Sequence, residues 1–258
     1  MTDATKDHTP LAGKVALVTG GTRGIGGAIS RKLAQWGCDL YLNYVERDAP
    51  AREITAELTG AGHLVELIKA DVADAGEVAT MFETIRDRHG HLDILVHNAA
   101  STVFGAIHET KPSHFSYIFD TNVKALLLLV QQARPLLKGR QGRLITLSNR
   151  PAVHHIERTG VFGAAKAAIE ALTRSLAVEL AADQIVVNCV RPGNVATAVH
   201  DLRPDFVAAL ESEAAASPWG RVTTPEDVAD TVALLCLDEA RWICGQAIVV
   251  DGGWSSWR

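Results

Sequence analysis

Seven short runs of apolar and β-branched residues punctuate the chain, at Val15–Thr19, Leu40–Asn43, Leu64–Ile68, Ile94–His97, Leu144–Leu147, Ile185–Val190 and Ala247–Val250. Between them lie longer stretches in which apolar residues recur every three or four positions, the spacing of one helical face. The alternation predicts strand, then helix, throughout. The runs are too apolar for strands with one wet face, which predicts a parallel sheet covered on both sides. Seven strands joined by crossovers make an α/β fold with a doubly wound parallel seven-stranded sheet. No linker, repeat or low-complexity tract interrupts the pattern, so a single domain over 11–258 is expected behind a disordered polar tail of 1–10. The stretch 193–224 holds no strand-like run, and so long an excursion in a compact domain predicts a substrate lid.

Charge narrows the class. Lys and Arg number 25 against 30 Asp and Glu, a net charge of −5, which argues against nucleic acid or an anionic membrane as the main partner. Apolar runs such as Ala125–Val130 are far too short to cross a bilayer. The polar start does not read as a secretory leader. Four cysteines, none in a Cys-x-x-Cys pair, argue against a disulfide framework or a zinc knot and for a reducing cytoplasm. Cys189, Cys236 and Cys244 sit in apolar settings and read as small core residues.

Thr19-Gly20-Gly21-Thr22-Arg23-Gly24-Ile25-Gly26 follows the first strand and opens an apolar-periodic helix. A glycine turn in that place brings backbone N–H groups to a pyrophosphate at a helix N-terminus, where the dipole favours negative charge. The predicted cradle comprises Gly20, Thr22, Arg23, Gly24, Ile25 and Gly26. NAD sites place an acid at the end of the second strand. Asp39 lies at that strand's beginning, whereas Asn43 and Tyr44 stand at its carboxyl end. With Arg23 and Arg47 able to pair with a 2′-phosphate, and Glu46 nearby, NADPH is the expected cofactor, with NADH as the alternative.

At this point the chain resembles the short-chain dehydrogenase/reductase family from Lys14 to Gly253. Asp71-Val72 looks like its adenine contact, and His97-Asn98-Ala99-Ala100 resembles its Asn-Asn-Ala-Gly element. Asn122 is similar to its helical active-site asparagine. Asn188-Cys189-Val190-Arg191-Pro192-Gly193, with Val195 and Thr197 beyond, looks like its nicotinamide-side loop, and Asp251-Gly252-Gly253 like its closing turn. The resemblance implies cofactor contacts from Asp71, Val72, Asn98, Ala99, Ala100, Lys166, Pro192, Gly193, Val195 and Thr197, and a homotetramer built partly on the termini and long helices.

The family's chemistry uses Ser, Tyr and Lys, with Tyr and Lys four apart on one helical face. The lysine is present as Lys166, but Phe162 stands four residues before it. The serine position, thirteen residues before the tyrosine, holds Asn149. The strings around Asn98, Val123 and Ala167 look most like the type III enoyl-thioester reductase branch, whose tyrosine lies further upstream, where this chain has Thr159. Neither register supplies a phenol.

Reducing a ketone without a proton donor leaves a costly alkoxide, whereas an activated C=C bond spreads charge into an enolate that hydrogen bonds stabilise, and an iminium gains no negative charge. The expected reaction is therefore NADPH-dependent reduction of an activated C=C bond of a small-molecule substrate such as a thioester. Alternatives are reduction of a cyclic imine, or a non-redox role as lyase, cyclase or nucleotide sensor. Candidate catalytic groups are Lys166, Asn122, Asn149, His154 and His155, with Arg150 able to hold an anion. Trp219, in the lid, and the aromatic tail Trp254–Arg258 are open to either packing or contact roles.

Overall fold

The computed structural model describes residues 9–195 and 204–256. In order along the chain come β1 (Val15–Val18), α1 (Gly24–Gln35), β2 (Asp39–Tyr44), α2 (Asp48–Gly60), β3 (Val65–Lys69) and α3 (Ala75–His89). There follow β4 (Ile94–His97), α4 (Pro112–Phe119), a π-helical turn (Asp120–Lys124), α5 (Ala125–Leu137), β5 (Arg143–Leu147) and α6 (Gly160–Glu179). The chain continues through β6 (Val186–Pro192), α7 (Pro204–Ala216), α8 (Pro225–Cys236) and β7 (Ala247–Val250). The strands form one sheet in the order β3-β2-β1-β4-β5-β6-β7, all neighbours parallel. The order reverses direction between β1 and β4, where such sheets open a crevice at their carboxyl ends.

Period-two alternation explains why the central strands are apolar throughout. Ala16 and Val18 face a core shared with Ile29 and Leu33 of α1 and Val228 and Val232 of α8. Val15 and Leu17 face the opposite core, with Phe82 of α3, Leu129 of α5 and Ile169 of α6. Each of these side chains larger than alanine contributes roughly 1.5–3 kcal/mol on burial. The expectation of two covered faces fails at the sheet edges. β3 and β7 are only half-buried, because each has a neighbour on one side alone.

Several boundaries move from their predicted places. β2 extends from Asp39 to Tyr44, β3 runs one residue later, and β6 reaches Pro192, whose missing N–H a strand end tolerates. Thr9 and Pro10, placed in the predicted tail, are among the described residues. The Thr9 carbonyl accepts from Ala12 N, and Leu11, whose N–H donates to Trp36 O, is buried in the core. The 193–224 excursion contains α7, and among the described residues a parallel bridge joins Val195 to Thr223. No described helix is long and apolar enough to cross a membrane.

Candidate active site

The glycine turn is closed from both sides by amides. Asn98 at the end of β4 donates through Nδ2 to Thr19 O at 2.9 Å and Gly20 O at 3.1 Å. Asn43 at the end of β2 donates to Ala70 O at 2.8 Å, while its Oδ1 lies 3.4 Å from Gly20 N. Ser30 Oγ ties the Gly21 and Gly26 carbonyls at 2.8 and 2.9 Å. Gly20 has φ +59°, and a Cβ on Gly26 would stand 2.1 Å from Gly20 O. Only glycine permits that approach. Asn43, expected at the cofactor, is buried behind the turn with its side chain bonded to the scaffold.

Arg23, the residue before α1, is exposed with extended backbone, and Arg47 stands at the start of α2 with φ +64°. Burial, and then the Arg47 guanidinium, lower the Arg23 pKa, with Glu46 opposing. Two like charges side by side make a place that favours an anion. Tyr44 is half-buried, with Lys69 Nζ 5.8 Å from its ring centre. Asp71 receives Ala73 N on its own Oδ1 at 2.9 Å, and Val72 is buried. Ala99 N donates to Thr19 Oγ1 at 3.0 Å, and Ala100 is exposed. Pro192 ends β6, and Gly193 N donates to Val250 O at 2.9 Å. Thr197 lies outside the described residues.

Lys166 is buried on α6 and donates to Leu147 O at 3.0 Å, with the Phe162 ring centre 5.4 Å from its Nζ. Burial lowers its pKa to about 8. The ammonium therefore predominates at neutral pH and is lost just above it. Facing it from β4 is His97, held neutral by burial with a pKa of about 4, the Lys166 charge adding to the shift and the bond to Asn122 opposing it. His97 Nε2 donates to the Asn122 carbonyl at 2.9 Å. That carbonyl is turned out by the π-helical turn, in which Ala125 N reaches back five residues to Asp120 O. Asn122 Nδ2 donates to Ile118 O and Ser101 O, each at 2.8 Å. Its Oδ1 and His97 Nδ1 are buried without partners.

Beyond β5, Asn149 is half-buried and caps a short turn, its Oδ1 accepting from Arg150 N at 2.7 Å. Ser148 is buried behind it, donating to Glu170 Oε1 at 2.6 Å. Glu170 also holds the Arg191 guanidinium at 2.8 and 2.7 Å. That bidentate pair lies one turn along α6 from Lys166, and the four-residue spacing is the signal in the chain that marks Glu170. His154 and His155 are both exposed, and the His154 ring lies edge-on to Trp254 at 6.1 Å. Thr159 is buried and donates to Ile156 O at 2.8 Å. The fold thus gathers Lys166, Asn122, Asn149 and the glycine turn at the carboxyl ends of the central strands, with both histidines out at the solvent edge. Trp219 is exposed, its ring against Gly252. Cys38, Cys189 and Cys236 are buried free thiols, while Cys244 is half-buried. A cavity of about 450 Å³ at the opposite ends of β5 and β6, lined by Arg143, Trp242 and Cys244, is remote from these groups.

A family model described as enoyl-(acyl carrier protein) reductase matches residues 20–255. A hydroxynaphthalene reductase-like protein of Metarhizium anisopliae is 35% identical over 264 residues, covering 97% of this chain and 98% of its own. A short-chain type dehydrogenase/reductase of Picea abies is 36% identical over 252 residues, covering 94% of this chain and 93% of its own. Among solved structures, a short-chain dehydrogenase of Burkholderia cenocepacia in complex with NADP superposes with TM-score 0.88 at 31% identity, covering 95% of this chain and 99% of that one. A short-chain dehydrogenase/reductase of Serratia marcescens gives 0.89 at 32% identity, with the same coverages, 95% and 99%.

Proposed function

The chain belongs to the short-chain dehydrogenase/reductase family of oxidoreductases, and from that premise we propose that it uses NADPH to reduce an activated C=C bond, in the first instance that of an enoyl thioester. The observation that carries this reading is Phe162 beside the buried Lys166. The ammonium is retained, and the side chain stacked near it has no proton to give. NADPH fits the residues present. The space between Gly20 and Gly26 is one that a single Cβ would fill, and Arg23 and Arg47 suit a 2′-phosphate. The Burkholderia relative holds NADP in the same fold.

When bound, the cofactor supplies a hydride. Gly20, Thr22, Gly24, Ile25 and Gly26 would cradle its phosphates, and Asp71, Val72, Ala99, Ala100, Pro192, Gly193 and Val195 would hold the rest of it. Asn98 acts through the turn it braces rather than on the cofactor. Lys166 Nζ, on release from Leu147 O, would hold the nicotinamide ribose, and its charge would stabilise the developing enolate. Asn149 offers an amide donor where the family keeps a hydroxyl. Asn122, fixed by His97, holds the floor beside Lys166. Preorganised donors of this kind are worth roughly 3–4 kcal/mol each against a developing anion. The enolate carbon then takes its proton from solvent. The excursion carrying α7 acts as the lid.

The test is a substrate panel with NADPH consumption as readout: crotonyl thioester, 1-pyrroline and cyclohexanone. The thioester is reduced about a hundredfold faster than the ketone, the ratio expected where a general acid is missing. Equal rates would sink the reading, and a preference for the imine would move it to C=N reduction. As Lys166 loses its proton above pH 8, kcat/KM for the thioester falls through that range.

A further inference from the structure

Loops from the carboxyl ends of β5, β6 and β7 and the helix α7 converge on one guanidinium. Arg150, next to Asn149, has a side chain only 10% exposed, and its partner Glu213 on α7 is 9% exposed. Arg150 Nη1 donates to Glu213 Oε2 at 2.5 Å. The same oxygen accepts from Asn194 Nδ2 at 2.6 Å, and Glu213 Oε1 lies 3.4 Å from Asn194 N. The guanidinium stacks over the Trp254 ring, 4.4 Å from its centre. Arg150 Nε is buried and donates to no acceptor.

Two features of this cluster suit a ligand better than a scaffold. A buried ion pair gains little net stability, because both ions lose their water. Arginine also matches a carboxylate through two parallel N–H bonds, yet Glu213 engages it through Nη1 alone, leaving a buried donor unsatisfied, which is costly. Elsewhere in this molecule the pairing is complete: Arg191 takes Glu170 through both Nε and Nη2. Arg150 is therefore a carboxylate site half filled by the protein's own carboxylate, at the substrate end of the crevice.

We propose that Arg150 anchors a carboxylate carried by the substrate itself, and that Glu213 holds the place until the substrate arrives. The substrate class becomes an unsaturated carbonyl compound bearing a free carboxylate. Exchange replaces one Arg–carboxylate pair with a bidentate one, gives Nε its acceptor, and returns Glu213 to Asn194 and water. This rests on the reductase reading of the crevice.

Calorimetric titration of the full chain with benzoate and with benzamide, each with and without NADP, tests the proposal, and nucleotide affinity is measured separately. Benzoate is expected to bind about tenfold tighter than benzamide, the value of one charge-assisted pair. Glu213→Gln removes the competing charge and tightens benzoate by about a further tenfold, whereas Arg150→Gln erases the preference. Should Arg150→Gln fail to fold, the Glu213→Gln arm decides alone. Benzoate and benzamide within twofold of each other in both wild type and Glu213→Gln, or no binding of either to Glu213→Gln, overturns the proposal. Failure of NADPH to bind overturns the reductase reading instead, and the titration without nucleotide still reports on Arg150.

Discussion

On the β1–β2 side of the crevice the bonds that shape the glycine turn are made by neutral groups that grip backbone, with the charges of Arg23 and Arg47 set outside it. Asn43, Asn98, Thr19 and Ser30 bond carbonyls and amides of the glycine turn, and the turn admits no Cβ at Gly26. On the β5–β6 side the contacts are charged. Glu170 grips Arg191, Glu213 meets Arg150, and Lys166 lies buried as an ammonium. Neutral, backbone-directed bonds specify one shape and are indifferent to pH. Desolvated charges answer to protons and to incoming ions. One rim is thus suited to an invariant ligand, and the other to one that must be recognised and released.

Breaking the charged side gives a large effect. Glu170→Ala leaves the half-buried Arg191 without a counter-ion and the buried Ser148 without an acceptor, and destabilises by about 3 kcal/mol in chemical denaturation. Gly26→Ala breaks the neutral side. Its Cβ would meet backbone rather than a movable side chain, so about 3 kcal/mol of stability is lost, together with at least tenfold in NADPH affinity by fluorescence titration. A Gly26→Ala protein that binds nucleotide normally would refute the account of the cradle.

A proton reports on the boundary between the two sides. His97 has a pKa of about 4 in the folded protein against an ordinary 6.5, so the native state binds fewer protons than the unfolded chain between those values. Stability therefore falls as pH drops from 6.5 through 4, by about 3 kcal/mol from this group. In His97→Asn the loss of thermal stability over that interval is shallower by the same amount. An identical pH profile for the two proteins would contradict the assignment. The smallest change is the control: Arg31→Ala removes an exposed pair with Glu57 at 2.7 Å and costs under about 1 kcal/mol.

What the chain discloses on reading follows the same division. The glycine turn, Asn98, Asn122 and Lys166 stand in local strings, because each depends on a backbone conformation or a helical spacing that neighbours encode. The seven strands are legible for the same reason, apart from end residues and the two half-wet edges. Asn43 misled because its position, at the end of β2, was right for a ligand while its amide was needed behind the turn. Arg150 was visible as an anion holder, but its partner was not. Glu213 lies 63 residues away on a helix with no marking string, and only the tertiary fold brings the two together. Glu170, 21 residues from Arg191, was within reach, since it shares a helical face with Lys166.

The π-helical turn has an evolutionary corollary. A turn of this kind houses one surplus residue inside an otherwise ordinary helix, so deletion of a single codon within 120–124 restores an uninterrupted α-helix while α4 and α5 keep their packing faces. The carbonyl that meets His97 would be drawn back into the helix ladder. Architecture and chemistry are separable here by three nucleotides, and a descendant could shed the second while inheriting the first intact.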